Sequence, residues 1–417
     1  MSAPERTGAN ACTKSRVALL NMASTSLGVP VAGLSVAKGV VSGGGKTVTY
    51  GQLIGGSLFN ISTGAVTSLS PGVGVAKPLS SYTLVGISRV PRVDIPDKVT
   101  GSYVYASNIR VPGMLHGRLV RPRGQGAYGD GTAPAILSVD KSSVSHIPNV
   151  EILQRNNFLG VVAPKEYDAI QAAAQLKVQW APMPTITGSG NLWQGMRNLD
   201  SAGKVAASVS ANSGNFDTAF ASAAHTVTQS YEYHYNGHMP IGLACAVAGV
   251  TANGALVMAN TQSCYAVRTK LAAILNLPIN QIRVQYYEGA SSFGNSPARY
   301  DSSQAAAVLS QLAGAPVRLQ FMRWDEHGWD NYGPAQMMDM QGGVDANGNL
   351  VALQYTQFAI TQISQTLDDP TRQHVGLPLP APGVGTADSS NSGTQYNIAN
   401  RRVISKSLPT FNNYFKT

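Results

Sequence analysis

A chain of 417 residues, 43% hydrophobic and 12% charged, is long enough for two or three domains with cores of their own and excludes a stapled miniprotein. It has no run of 18 apolar residues and no basic head followed by an apolar stretch near residue 1, so it reads as soluble, without a membrane span or secretory signal. Thirty Lys and Arg against 21 Asp and Glu leave a charge of +9, which suits an anionic cofactor or acidic partner; the scattered basic residues carry no nucleic-acid motif.

The spacing of Val17, Leu20, Met22 and Leu27 predicts an amphipathic helix over 14–27, stopped by Gly28 and Pro30. Residues 34–50 alternate around Gly43-Gly44-Gly45 and predict a two-stranded hairpin. A Ser, Thr, Gly and Pro-rich connection over 57–79 leads to a boundary near Arg92. Strands are expected at 102–109, 113–120, 135–140 and 157–163, and a helix at 167–176. Residues 181–217 read as a surface linker without a core element. Strands then follow at 226–235, 244–251, 254–259, 282–287, 316–322 and 336–360, with helices at 264–276 and 301–313. This order predicts an α+β class. Residues 362–395 lose periodicity, 402–408 alternate as a strand, and the end at Thr417 is expected to be a truncation inside a fold.

The three cysteines, Cys12, Cys245 and Cys264, form no CxxC pair and are expected as thiols, so no zinc or iron–sulfur site is readable. His225, His234 and His238 lie on or beside a strand pattern, where a four-residue spacing spans about 13 Å, so no metal site is assigned to them. Neither Gly55-Gly56-Ser57 nor Gly188-Ser189-Gly190 makes a nucleophile elbow, and Gly43 to Thr47 leads into strand where a phosphate loop needs a helix.

The segment richest in chemistry is Asn260-Thr261-Gln262-Ser263 before a helix, followed by Glu288 to Asn295 before the next. Small and polar residues there sit where strands end and helices begin, and their free N–H groups suit an anionic ligand. Gln262 offers a neutral donor and Gly294 permits close backbone approach. On residue types alone, Gln262 as a helix cap and Phe293 as core remain equal alternatives.

At these residues the sequence resembles the molybdenum-binding large subunit of the xanthine dehydrogenase and aldehyde oxidase family, in its isoquinoline 1-oxidoreductase-like branch. Arg92 to Gly101, Val111 to Gly117 and Val120-Arg121-Pro122 are similar to the opening of that family's α/β hammerhead domain. Gly237-His238-Met239-Pro240, Thr261-Gln262-Ser263, Phe293-Gly294, Ala315 to Arg318 and Arg323 to Glu326 resemble successive steps of its first molybdopterin-binding domain. The resemblance implies a leading region at 1–91, the hammerhead at 92–183, a linker and wrap at 184–225, and an incomplete cofactor domain at 226–417.

It further implies hydroxylation of aldehydes or N-heteroaromatic compounds with water-derived oxygen, using molybdopterin or its cytosine dinucleotide form. Gln262, Ser292, Phe293 and Gly294 would be the cofactor-binding residues, Gln262 near the apical oxygen ligand. The catalytic glutamate belongs to a later domain, and neither Glu288 nor Glu326 matches it by motif. The implied partners are the C-terminal remainder of the large subunit or a separate chain supplying it, an iron–sulfur subunit and a small-molecule substrate. Ala290 and Ser291 stand where the family has two glycines, which keeps open a non-catalytic scaffold subunit of the same family. The compartment stays open between cytoplasm and periplasm.

Overall fold

The computed structural model describes residues 3–56, 80, 91–122, 134–182, 192–203, 205–289, 292–294, 296–330, 333, 335–360, 370–378 and 397–408. The expectations for 57–79, Gly188 to Gly190, Ala290, Ser291, Asn295, most of 362–395 and the chain end lie outside these residues. The path divides into two units, Met1–Gly101 and Ser102–Thr417.

In the first unit α1 (Ala3–Leu27) begins well upstream of the apolar pattern that marks it in the sequence. Residues 34–50, expected as a hairpin, form three antiparallel strands: β1 (Ser35–Ala37), β2 (Val40–Gly43) and β3 (Lys46–Thr49). The additional reversal is at Lys38-Gly39, where φ is +50° and +77°, the backbone of a tight hairpin turn that a lysine seldom enters. Leu20, Ala23 and Val41 make the small core. Thr49 caps α2 (Tyr50–Ile54) in a reciprocal pair with Gln52. Then α3 (Ile95–Thr100) ends at Gly101.

The second unit is α+β. Its first strands are β4 (Leu115–Leu119), β5 (Ile136–Asp140), β6 (Glu151–Arg155) and β7 (Phe158–Ala163), followed by α4 (Glu166–Gln175) and β8 (Lys177–Trp180). The strand expected at 102–109 does not form. Ala106 instead donates to the Glu288 carbonyl at 2.8 Å and Ser107 accepts from Arg318 Nε at 3.1 Å, so long-range bonds take the place of a ladder. Residues 181–217, expected to hold no core element, contain α5 (Leu192–Ser201) and β9 (Ala206–Ser213). Leu192 and Met196, four apart on one helical face, are fully buried.

Next come α6 (Phe216–Ala221), β10 (His225–Tyr233), β11 (Cys245–Thr251), β12 (Gly254–Ala259), α7 (Cys264–Leu275), β13 (Ile282–Tyr286), α8 (Asp301–Ala313), β14 (Val317–Gln320) and α9 (Arg323–Trp329). The last are β15 (Gln336–Val344), β16 (Leu350–Ile360), α10 (Pro370–His374) and β17 (Asn400–Leu408). A seven-stranded mixed sheet has the order β13-β12-β11-β14-β4-β7-β6, a five-stranded sheet the order β10-β15-β16-β17-β9, and β5 pairs with β8.

Every residue of β7 is buried because the large sheet is covered on both faces. Phe158 and Val162 join the α7 and α8 core, while Leu159 and Val161 join Ala172 of α4. Leu309 of α8 presses so closely that a Cβ on Gly117 or Gly160 would lie 2.8 or 2.7 Å from it.

Buried charges tie the layers. Arg121 grips Asp301 at 2.7 and 3.2 Å, and Thr371 donates to the same carboxylate at 2.6 Å. Burial opposes ionisation of Asp301, but Arg121 and Thr371 outweigh it and hold the carboxyl below its usual range. Arg118 and Arg318, on β4 and β14, both reach Glu166 at the start of α4, at 2.7 and 2.9 Å. Among the described residues no helix is long and apolar enough to cross a membrane.

Candidate functional site

Strands β12 and β13 are parallel neighbours, so both chains leave the sheet on the same side. Crevices outside the carboxyl ends of such strands are where open α/β sheets hold ligands. After β12, Asn260 to Ser263 turn into α7. Thr261 is buried and its hydroxyl donates to the Arg299 carbonyl, while Ser263 N donates back to Thr261 Oγ1 at 3.2 Å. After β13, Tyr287 N bonds to the Ala259 carbonyl at 2.9 Å and the chain runs through Glu288 and Gly289 to Ser292. Gly289 passes so close to Asn260 that a Cβ there would lie 2.8 Å from the Asn260 Cβ.

Between the two turns lies an open cleft of about 430 Å³, lined among others by Asn260, Gln262, Tyr286, Glu288 and Ser292. Gln262 and Ser292 thus share one cleft, and Phe293 and Gly294 continue the turn that Ser292 begins. Ser292 is buried, its carbonyl accepting from Ser296 N at 3.3 Å. Oriented so that both halves of its amide are paired, Gln262 donates to the Gly294 carbonyl at 2.7 Å and accepts from Gly294 N at 3.2 Å. Its amide therefore latches the second turn to the first. Gln262 does not cap α7, whose N-cap is Ser263 with no side-chain bond, and Phe293 is not core but 65% exposed.

The latched turn is strained. Phe293 has φ +50°, a left-handed conformation that costs a side-chain-bearing residue roughly 1–2 kcal/mol, and Gly294 has φ +120°. Two exposed hydrogen bonds, worth about 1 kcal/mol each, offset that strain.

Behind the turn stands a pair with no signal in the sequence beyond the Gly237 to Pro240 segment. His238 Nε2 lies 3.4 Å from the position a Gly294 Cβ would take. Asp330 accepts from His238 N at 3.0 Å, and its other oxygen faces His238 Nδ1 at 3.4 Å. One turn earlier, Glu326 accepts from Ala244 N at 2.7 Å and pairs with Arg323 at 2.9 Å. Burial pushes the Glu326 carboxyl up to about 7.

His225 opens β10 and His234 packs edge-on against Trp193 at 4.9 Å, so the three imidazoles have separate surroundings. Among the described residues no group of three or more His, Cys, Asp and Glu could hold a metal ion. Cys245 is buried and Cys264 half-buried at the cleft; burial raises both thiols.

Residues 200–379 match the family model described as the molybdopterin cofactor-binding domain. The chain is 34% identical to one of the subunits of nicotinate dehydrogenase of Pseudomonas putida, the match covering 83% of this chain and 28% of that protein. It is 26% identical to a membrane-bound aldehyde dehydrogenase (pyrroloquinoline-quinone) of Gluconacetobacter polyoxogenes, over 82% of this chain and 44% of that one. Of solved structures, quinoline 2-oxidoreductase from Pseudomonas putida 86 is similar with a TM-score of 0.57 at 20% identity, covering 78% of this chain and 44% of that chain. Aldehyde oxidoreductase from Desulfovibrio gigas is similar with a TM-score of 0.56 at 17% identity, covering 78% and 38%. These two likenesses concern the fold. The chain spans between 28% and 44% of the length of these relatives.

Proposed function

Because the chain belongs to the molybdenum-binding large subunits of the xanthine dehydrogenase and aldehyde oxidase family, we propose that it forms one wall of a molybdenum–pterin cleft. The assembled enzyme would hydroxylate aldehydes or nitrogen heterocycles with oxygen from water. The observation that carries this reading is the latch of Gln262 on Gly294 across the cleft at the ends of β12 and β13.

The wall suits a bulky flat group. Gly289 and Gly294 bring backbone where a side chain would meet Asn260 or His238, and the first turn of α7 has no side-chain cap on its N–H groups. Gln262, Ser292, Phe293 and Gly294 remain the proposed cofactor contacts, with Gln262 acting by fixing the turn and the backbone of 292–294 facing the group. When bound, a molybdenum–pterin supplies a Lewis-acidic two-electron acceptor. Glu326 is an unsuitable base for the reaction, since its oxygens are held by Ala244 N and Arg323.

The general base and the remaining cofactor contacts are assigned to the C-terminal remainder of the large subunit or a separate chain supplying it, and the iron–sulfur clusters to a partner subunit. The five-stranded sheet supports such a companion: all nine residues of its edge strand β10 are exposed, Val227 at 66% and Tyr231 and Tyr233 at about half. A long edge with apolar side chains and one acidic residue, Glu232, offers hydrogen-bond partners to another strand.

The test is co-expression with polypeptides supplying the rest of the family's large subunit and an iron–sulfur subunit, followed by metal and pterin analysis of the purified complex. About one molybdenum per complex is expected, falling several-fold in Gln262→Ala. An assembled complex without molybdenum and pterin refutes the cofactor role and favours the scaffold reading.

A further inference from the structure

The two hydrogen bonds between Gln262 and Gly294 do little more than offset the strain at Phe293, so the latch alone leaves the turn a small margin. Strained backbone persists only where its surroundings over-determine it, and a second hold is required.

We infer that His238, oriented by Asp330, is that hold: a positioning residue bearing on Gly294 from the side its missing side chain leaves open. Asp330 is 4% exposed and the His238 side chain 14%, so the pair is withdrawn from water. Nδ1 and Oδ1 face each other at 3.4 Å and, among the described residues, neither has another partner. The contact lacks hydrogen-bond geometry, but a proton on Nδ1 faces the carboxylate and leaves Nε2 as the nitrogen turned towards Gly294.

The pair is itself anchored. Asp330 also receives the His238 main-chain N–H, and Glu326 of α9 receives that of Ala244, so two carboxylates hold the 238–244 segment at both ends. Rigidity thus passes from the buried α9 through His238 to an exposed turn. The inference rests on the proposed cofactor cleft for its purpose, which is to hold Phe293 and Gly294 in place before a ligand arrives.

Hydrogen exchange of the purified chain, without cofactor, tests the geometry. The Gly294 amide, bonded to Gln262, should exchange at least tenfold faster in His238→Ala, while amides of α7 keep their wild-type rates. The His238→Ala main chain retains its bond to Asp330, which separates loss of the ring from loss of the loop. His238→Gln, which restores a planar polar group, should recover part of the protection. Imidazole nitrogen resonances should place the proton on Nδ1 in the wild type and lose that preference in Asp330→Asn. Unchanged Gly294 exchange in His238→Ala, or a proton on Nε2 in the wild type, overturns the inference. These readouts need no molybdenum. A complex that never acquires the metal would therefore refute the proposed function while leaving the positioning role to stand or fall by exchange.

Discussion

The two large sheets of the second unit treat charge in opposite ways. Beside the seven-stranded sheet the arginines are enclosed: the side chains of Arg121 and Asp301 are 2% and 3% exposed, and Arg118 and Arg318 are buried against a partly exposed Glu166. Around the five-stranded sheet Arg197–Asp339, Lys406–Asp200 and Arg402–Asp217 all lie partly in solvent, the last with 28% and 72% exposure. The first sheet also bears helices on both faces and presents the cleft at its strand ends, whereas the second ends in the bare edge of β10. The contrast separates a rigid platform, which fixes atoms at a site, from a surface whose side chains keep their freedom.

The largest test of this contrast is Asp301→Ala, which leaves a buried guanidinium without its carboxylate and should cost about 3–5 kcal/mol of unfolding free energy. Arg402→Gln, on the exposed pair, should cost less than about 1 kcal/mol. Urea titrations of the two variants showing equal losses would erase the distinction.

Titration sharpens it further. Burial, reinforced by Arg121, holds His374 down to about 3 against an ordinary value of 6.5, so the unfolded chain takes up the proton first. Its contribution is complete above pH 6.5 and lost as the pH falls towards 3. Glu326, raised from 4.5 to about 7, has the opposite sign: the folded chain keeps its proton, and the contribution present below 4.5 declines as the pH rises to 7. Glu326→Gln should therefore gain stability relative to the wild type between pH 4.5 and 7, followed as urea midpoints. A constant difference across that range would show that the carboxyl ionises normally. The smallest effect belongs to Tyr231→Lys on β10, which should leave the chain's own stability within about 0.5 kcal/mol. A sedimentation titration should nevertheless show weaker assembly with the companion polypeptide.

Where the sequence was legible, a local pattern carried the information. The spans of β12, α7 and α8 follow from apolar spacing. α5 was hidden because its buried Leu192 and Met196 stand among polar residues in a segment rich in Gly and Asn. The Lys38-Gly39 turn was hidden because lysine gives no sign of a positive φ. Pairing across distance left no trace at all: β4, β7 and β6 join strands more than eighty residues later, and His238 meets a carboxylate 92 residues away. At the site, residue types marked the two turns, while the use of the Gln262 amide depended on where Gly294 came to rest.

The grip of Arg121 on Asp301 and Thr371 spans 180 and 250 residues of chain. During synthesis, a nascent polypeptide that has not yet delivered Thr371 and His374 would hold the ionised Asp301 in an apolar layer with an unfinished shell. Closing so wide a loop is slow, and commitment to the native state thus waits on the segment that carries Asp301, Thr371 and His374. Ribosome-stalled chains of increasing length should stay protease-sensitive around α8 until α10 has left the exit tunnel.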